Sequence, residues 1–182
     1  MSYKINIENG PLDAYKIIVG KNILQNFDLS AYVSLNRKIF GIYDAKIDEN
    51  TLSNILSAFS AINLNFIPIE STNAKSFATY QAVVKSLIEK EIDRGSLLLS
   101  IGGGSIGDLG GFVSSTLLRG IDHVMIPTTL LSMVDSSIGG KTGIDLGEGK
   151  NLVGTFYNPK LVLSDLFFLN YIQTDTISDG FF

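Results

Sequence analysis

The chain reads as an α/β fold, a Rossmann-like parallel sheet with flanking helices entered through an N-terminal β-hairpin. Three observations predict it. From residue 38 onward, short apolar runs alternate with amphipathic helical stretches, whereas the first twenty residues alternate polar with apolar. One run, residues 96–101, is apolar with no alternation at all. A strand loses its period of two when both faces are buried, so this run belongs in the middle of a parallel sheet with helices on both sides.

The elements follow in order. Residues 3–7 and 15–19 alternate around Asn9-Gly10-Pro11, the pattern of an antiparallel hairpin. A strand at 38–43 ends in Asp44 and leads to a helix whose Leu52, Ile55, Leu56 and Phe59 keep the i, i+3, i+4, i+7 spacing of one buried face. A second strand at 64–69 precedes a helix over about 75–94, with Tyr80, Val83, Val84, Leu87 and Ile88 as its apolar stripe. After the strand at 96–101 come a helix over about 106–118, a strand at 123–126 and a short helix over 128–134. Residues 138–159 are rich in Gly, Lys and Asn and show no period, which predicts a long loop of the functional kind. Strand signal returns at 161–163.

A length of 182 residues with 45% apolar composition suits one domain, residues 1–182, with a full hydrophobic core. No stretch approaches the roughly 18 uncharged apolar residues of a membrane span, and the first residues alternate like a strand instead of forming a signal peptide. The expectation is a cytoplasmic protein without a membrane partner. With no cysteine there is no disulfide and no thiolate metal site. The net charge of −4, without any run of Lys or Arg, argues against nucleic acid as a partner. His123 is the single histidine. It lacks the companions needed for a triad or a zinc site and reads as a structural residue.

Chemistry concentrates between Ile101 and Asn151. The run Gly102-Gly103-Gly104-Ser105-Ile106-Gly107-Asp108 carries a buried strand through a glycine turn into a helix. Such a turn lets the backbone approach a pyrophosphate, and the free N–H groups and dipole of the helix start favour negative charge. Gly102, Gly104 and Gly107 satisfy G-x-G-x-x-G, but the acidic residue expected about 20 positions on, after the next strand, is missing because Asp122 comes too early. The glycines also suit a tight turn and close helix packing alone. Gly107-Asp108-Leu109 excludes a triphosphate P-loop, and Asp108 suits a ribose hydroxyl or a nicotinamide amide, or simply complements the helix dipole.

Asp44 and Glu70 end strands at the carboxyl edge, where open α/β sheets bind ligands, and Lys75 follows closely. Thr128 and Thr129 start a helix at a strand end, suited to capping or to phosphate and ribose. Asp135-Ser136-Ser137, Gly139-Gly140-Lys141-Thr142-Gly143 and Gly149-Lys150-Asn151 then place two lysines, an aspartate and a carboxamide in one glycine-rich span. That set gives charge and orientation to a small phosphorylated or carboxylated substrate.

Taken with Arg119-Gly120 and Pro127-Thr128-Thr129-Leu130-Leu131, these runs in this order resemble 3-dehydroquinate synthase, densely from Ile101 to Asp165. The resemblance implies an NAD-binding α/β domain followed by a helical metal-binding domain, which is not in this chain, with the active site between them. It implies a lyase of aromatic amino acid biosynthesis that converts 3-deoxy-D-arabino-heptulosonate 7-phosphate to 3-dehydroquinate and phosphate, using NAD catalytically and a divalent metal, zinc or cobalt. By position, the resemblance assigns NAD to Asp44, Glu70, Lys75, Gly103, Gly104, Ser105, Ile106, Gly107, Asp108, Thr128 and Thr129. It assigns the substrate to Asp135, Lys141, Lys150 and Asn151, with both lysines near the nicotinamide as well. Arg119 looks like the arginine that family homodimers lend to the neighbouring active site.

Two departures stand out. Lys75 follows Glu70 by five positions where the family has Gly-Glu-x-x-Lys, and Leu169-Asn170-Tyr171 replaces a family Leu-Lys-Thr. The family's metal ligands would lie beyond Phe182. This polypeptide by itself is therefore expected to bind NAD weakly or not at all, and not to turn over. Two other readings remain open: another sugar phosphate cyclase or polyol dehydrogenase-like enzyme, and a non-catalytic dinucleotide-binding module.

Overall fold

A computed structural model describes residues 2–7, 14–28, 37–57 and 64–171. The Asn9-Gly10-Pro11 turn, Phe59 and the residues after 171 lie outside the described residues. The chain opens with β1 (Ser2–Ile7) and β2 (Tyr15–Gly20), then runs β3 (Ile39–Asp44), α1 (Glu49–Ser57), β4 (Leu64–Ile69), α2 (Phe77–Glu89) and β5 (Leu97–Gly102). It continues through α3 (Gly104–Thr116), β6 (Asp122–Pro127), β7 (Lys141–Leu146), β8 (Gly149–Phe156) and β9 (Leu161–Asp165). Seven of the described strands form one sheet in the order β1-β2-β9-β6-β5-β3-β4. Only β1 with β2 is antiparallel, Ser2 facing Gly20 and Ile7 facing Tyr15. The remaining pairs are parallel.

Strand β3 sits between β4 and β5, so the chain turns outward through α1 and comes back through α2. Right-handed crossovers in opposite directions place their helices on opposite faces. Ile55 of α1 accordingly packs on the face carrying Ile39, Leu97, Leu99, Ile101, Val124 and Leu161. Val83 and Leu87 of α2, with Ile106, Leu109 and Val113 of α3, cover Phe40, Ile42 and Leu98 on the other. Because successive residues of β5 serve the two cores in turn, every position from Leu97 to Gly102 is buried, and the sequence shows no alternation. Of the stripe expected on α2, Val83 and Leu87 are buried, while Ile88 stands exposed near the helix end.

Helix α3 lies unusually close to the sheet. A Cβ at Gly110 would come within 1.7 Å of Ser100 Oγ, and one at Gly107 within 2.3 Å of Met125 Cε. Ser100 cannot swing away cheaply, since its hydroxyl is 2.8 Å from His123 Nε2 in a fully buried pair. His123 is thus the structural residue its sequence context suggested.

The stretch 138–159, expected as a loop, is a hairpin. Strands β7 and β8 pair antiparallel from Lys141 opposite Phe156 to Leu146 opposite Gly149, with a register shift between Ile144 and Leu146. The hairpin lies on the back of α3. Ile144 enters the core beneath it, Thr142 sits over Gly111, and Thr155 Oγ1 donates to Ser115 Oγ at 2.8 Å. At the carboxyl edge, the buried Asp165 accepts N–H groups from Asn22, Leu24 and Phe167, tying the segment after β2 to the end of β9. Among the described residues, no helix is long and apolar enough to cross a membrane.

Two outcomes follow from this packing. Gly110→Ala overpacks the α3 contact and is expected to lower the unfolding free energy in urea by about 1–3 kcal/mol. Burial pushes the His123 imidazole down to about 3. Between that value and the unfolded one the denatured chain binds the extra proton, so stability falls as pH drops from about 6.5 toward 3, by up to ~1.4 kcal/mol per pH unit. Urea melts across that range check it, and His123→Gln should flatten the slope.

Candidate active site

The carboxyl edge of the sheet gathers the ends of β3, β4, β5 and β6. Tyr43 pairs with Ile101, which sets Asp44 beside Gly102 on the neighbouring strand. Asp44 Oδ1 accepts the Lys46 N–H at 3.0 Å. Glu70 stands exposed at the end of β4, where its carbonyl accepts the Asn73 N–H.

The start of α3 sorts its residues by what their N–H groups already do. Those of Ile106 and Gly107 both donate to Gly103 O at 3.1 Å. Gly104 and Ser105 donate to no partner among the described residues, so these two groups remain for an anion at the helix start. Ile106 is a core side chain and Gly107 a contact for Met125. Both residues thus also pack the helix start against the sheet, with their N–H groups engaged by Gly103 O. A Cβ at Gly104 would stand 2.7 Å from Ser136 Oγ, a buried hydroxyl without a hydrogen-bond partner.

Opposite this turn, Thr128 N–H donates to Gly102 O at 3.0 Å. Thr129 and Ser132 cap each other: Thr129 N–H donates to Ser132 Oγ at 3.1 Å and Ser132 N–H to Thr129 Oγ1 at 3.2 Å. The Thr129 hydroxyl is therefore engaged in the ordinary structural role. The following helical turn widens, with Ser137 N–H reaching back five residues to Ser132 O. Such wide turns recur at functional sites. Here it carries Asp135 and Ser136 to the wall of a cleft of about 440 Å³.

Asp108, Asp135, Ser136, Lys141 and Asn151 line that cleft, together with Ile138, Leu152 and Phe156. Four sequence-predicted polar residues, Asp108, Asp135, Lys141 and Asn151, thus meet in one place from three separate segments, α3, the wide turn and the hairpin. Lys150 is exposed on β8 beside Asn151. Lys75, whose spacing departs from the family pattern, nevertheless arrives at the site: its ammonium is 2.6 Å from Asp108 Oδ2 and bonds Asn151 Oδ1. Burial raises the Asp108 carboxyl above the ordinary range, against the opposing hydrogen bond and charge of Lys75. Arg119 is exposed at the far end of α3 from Asp108 and does not line the cleft. Both it and Leu118 adopt positive φ, 66° and 53°.

Ser136, in the Asp-Ser-Ser run, and the apolar wall of the cleft were not among the candidate site residues that the sequence suggested. Leu152 and Phe156, 68% and 84% exposed, lie on a strand whose alternation is hidden by glycines and polar residues. The donors suit a dinucleotide: unspent N–H groups at a helix start, a glycine too tight for any side chain, and carboxylates at adjacent strand ends. They do not suit a metal, since no group of three His, Cys, Asp or Glu comes together among the described residues, and His123 is engaged inside the sheet.

Fold and site together define an open α/β ligand-binding domain with its cleft at the carboxyl edge. The sequence profile for the 3-dehydroquinate synthase N-terminal region matches residues 66–179, and the chain belongs to that family. It is 41% identical over 173 residues to a 3-dehydroquinate synthase of Clostridium beijerinckii, covering 93% of this chain and 48% of that one. The figure is 39% over 172 residues for the Staphylococcus carnosus enzyme, covering 92% and 47%. The chain spans about half the length of these curated relatives. Among solved structures, a 2-epi-5-epi-valiolone synthase from Streptomyces hygroscopicus, with NAD+ and Zn2+ bound, superposes with a TM-score of 0.80 at 27% identity, covering 92% of this chain and 47% of that one. A 2-deoxy-scyllo-inosose synthase shares the fold at a TM-score of 0.87 and 21% identity, covering all of this chain and 51% of that one.

Gly104→Ala should drive Ser136 off its position while leaving the sheet intact. The expected result is a tryptophan-free near-UV signal and far-UV spectrum like the parent's, with NMR shifts confined to residues near 104 and 136; shifts spread through β5 and β6 would contradict it.

Proposed function

We propose that this chain is the NAD-binding half of a 3-dehydroquinate synthase, forming one wall of an active site that converts 3-deoxy-D-arabino-heptulosonate 7-phosphate to 3-dehydroquinate and phosphate. The observation that carries this is the cleft itself, which joins Asp108 of α3, four residues into the helix that the glycine turn opens, to a lysine-bearing hairpin. The Gly104 and Ser105 N–H groups receive the pyrophosphate, Asp44 the ribose at the neighbouring strand end, and Asp108 the nicotinamide end. Thr128, beside Gly102, adds a hydroxyl at the same edge. Lys141 and Lys150 supply positive charge for the phosphorylated sugar acid, and Asn151 and Asp135 orient its hydroxyl groups. NAD, when bound, would supply a reversible hydride acceptor, so that a substrate hydroxyl carbon can pass through a ketone that acidifies the neighbouring C–H. The apolar Ile138, Leu152 and Phe156 line the same cleft as Asp108 and give it an apolar side. No group of three His, Cys, Asp or Glu that could hold a divalent metal comes together among the described residues. Arg119, outside the cleft, serves the second subunit of a homodimer, and the protein works in the cytoplasm.

NAD added to this chain should perturb the amide signals of Gly104, Ser105, Asp108 and Thr128 with weak, saturable binding. Asp108→Ala should weaken that binding roughly tenfold, the worth of one hydrogen bond to a charged group, while Arg119→Ala leaves it unchanged. Lys141→Ala should likewise cost about tenfold in affinity for a phosphorylated sugar acid. NAD binding that Asp108→Ala leaves untouched would overturn the reading.

A further inference from the structure

Lys75 joins two parts of the site that no other described residue connects in the same way. Its ammonium lies 2.6 Å from Asp108 Oδ2 on α3 and also bonds Asn151 Oδ1 on β8. Its main-chain carbonyl accepts the Asp145 N–H of β7 at 2.7 Å. Asp145 Oδ1 in turn accepts the Asn151 N–H at 2.7 Å. One residue thus grips the free end of the hairpin twice, by backbone at β7 and by side chain at β8. The grip falls where the hairpin needs it, since the register shifts between Ile144 and Leu146 and Asn151 has a φ of 56°. Lys75 and Asp108 are 18% and 20% exposed, so their ion pair is partly shielded from water, unlike the fully exposed pairs that contribute little.

We infer that Lys75 is a positioning residue: it latches the hairpin to α3 and so sets where Lys150 and Asn151 stand against the cleft. This rests on the reading of those two residues as substrate groups, but the latch can be tested without any ligand. A lysine that only contacted a dinucleotide would have no bearing on the hairpin of the ligand-free chain. The two roles are separable by substitution. Lys75→Met keeps the aliphatic stem and removes the charge, whereas Lys75→Arg keeps a donor able to span a carboxylate and a carboxamide.

Amide hydrogen exchange on the ligand-free chain decides it. Lys75→Met should speed exchange across residues 141–156 roughly tenfold, with β5 and α3 unchanged, and Lys75→Arg should restore most of the protection. Unchanged hairpin exchange in Lys75→Met would overturn the latch, as would equal acceleration through β5 and α3 or no recovery with arginine. NAD titration of the parent chain reports separately on the functional reading, so either can fail without the other.

Discussion

Helix α3 rests against the sheet at a distance that only glycine allows, and the rest of the site is built on that contact. With Gly107 over Met125 and Gly110 over Ser100, the helix axis is drawn down onto β5 and β6. Its first turn then emerges directly from the buried end of β5, level with Asp44 on the neighbouring strand. Its outer side, at Gly111 and Ser115, becomes a seat for the β7–β8 hairpin through Thr142 and Thr155. Close packing of this kind transmits position, because a dense interior has no slack to absorb a shift of even one methyl group. A side chain at Gly110 would lift the helix and with it both walls of the cleft.

The buried Ser100–His123 pair belongs to the same contact. It places a polar group under α3 where an aliphatic side chain would pack more simply, and it requires the imidazole to stay neutral. The charged groups gather on the other side of the helix. Asp108, Lys75, Asp135 and Lys141 set both signs around one cleft, which suits a ligand that carries phosphate yet presents hydroxyl groups to carboxylates.

Much of this was legible in the residues. The unbroken apolar run before Gly102, the alternation of strands and helices, and the glycine turn leading to Asp108 all report local rules of burial and backbone freedom. The 138–159 stretch was not legible as a hairpin, for a physical reason. Its inward face is Ile144 and Val153 among glycines and threonines that fit against α3, and its outward face carries Leu152 and Phe156 toward the cleft. The period of two is therefore masked on both sides. A motif counts residues, whereas the start of α3 divides their N–H groups: those of Ile106 and Gly107 bond Gly103 O, and those of Gly104 and Ser105 do not.

The sequence by itself determined the fold class, the family, and which stretch would carry the ligand chemistry, since these depend on periodicity, turn residues and motif order along the chain. Only the tertiary structure decided which of those residues share a cleft. It brought Lys75 to Asp108 and Asn151 across 33 and 76 positions of sequence, left Arg119 at the other end of α3, and placed Ser136 against Gly104. Such meetings follow from how closely a helix and a hairpin can stack. Spacing along the chain does not encode that distance.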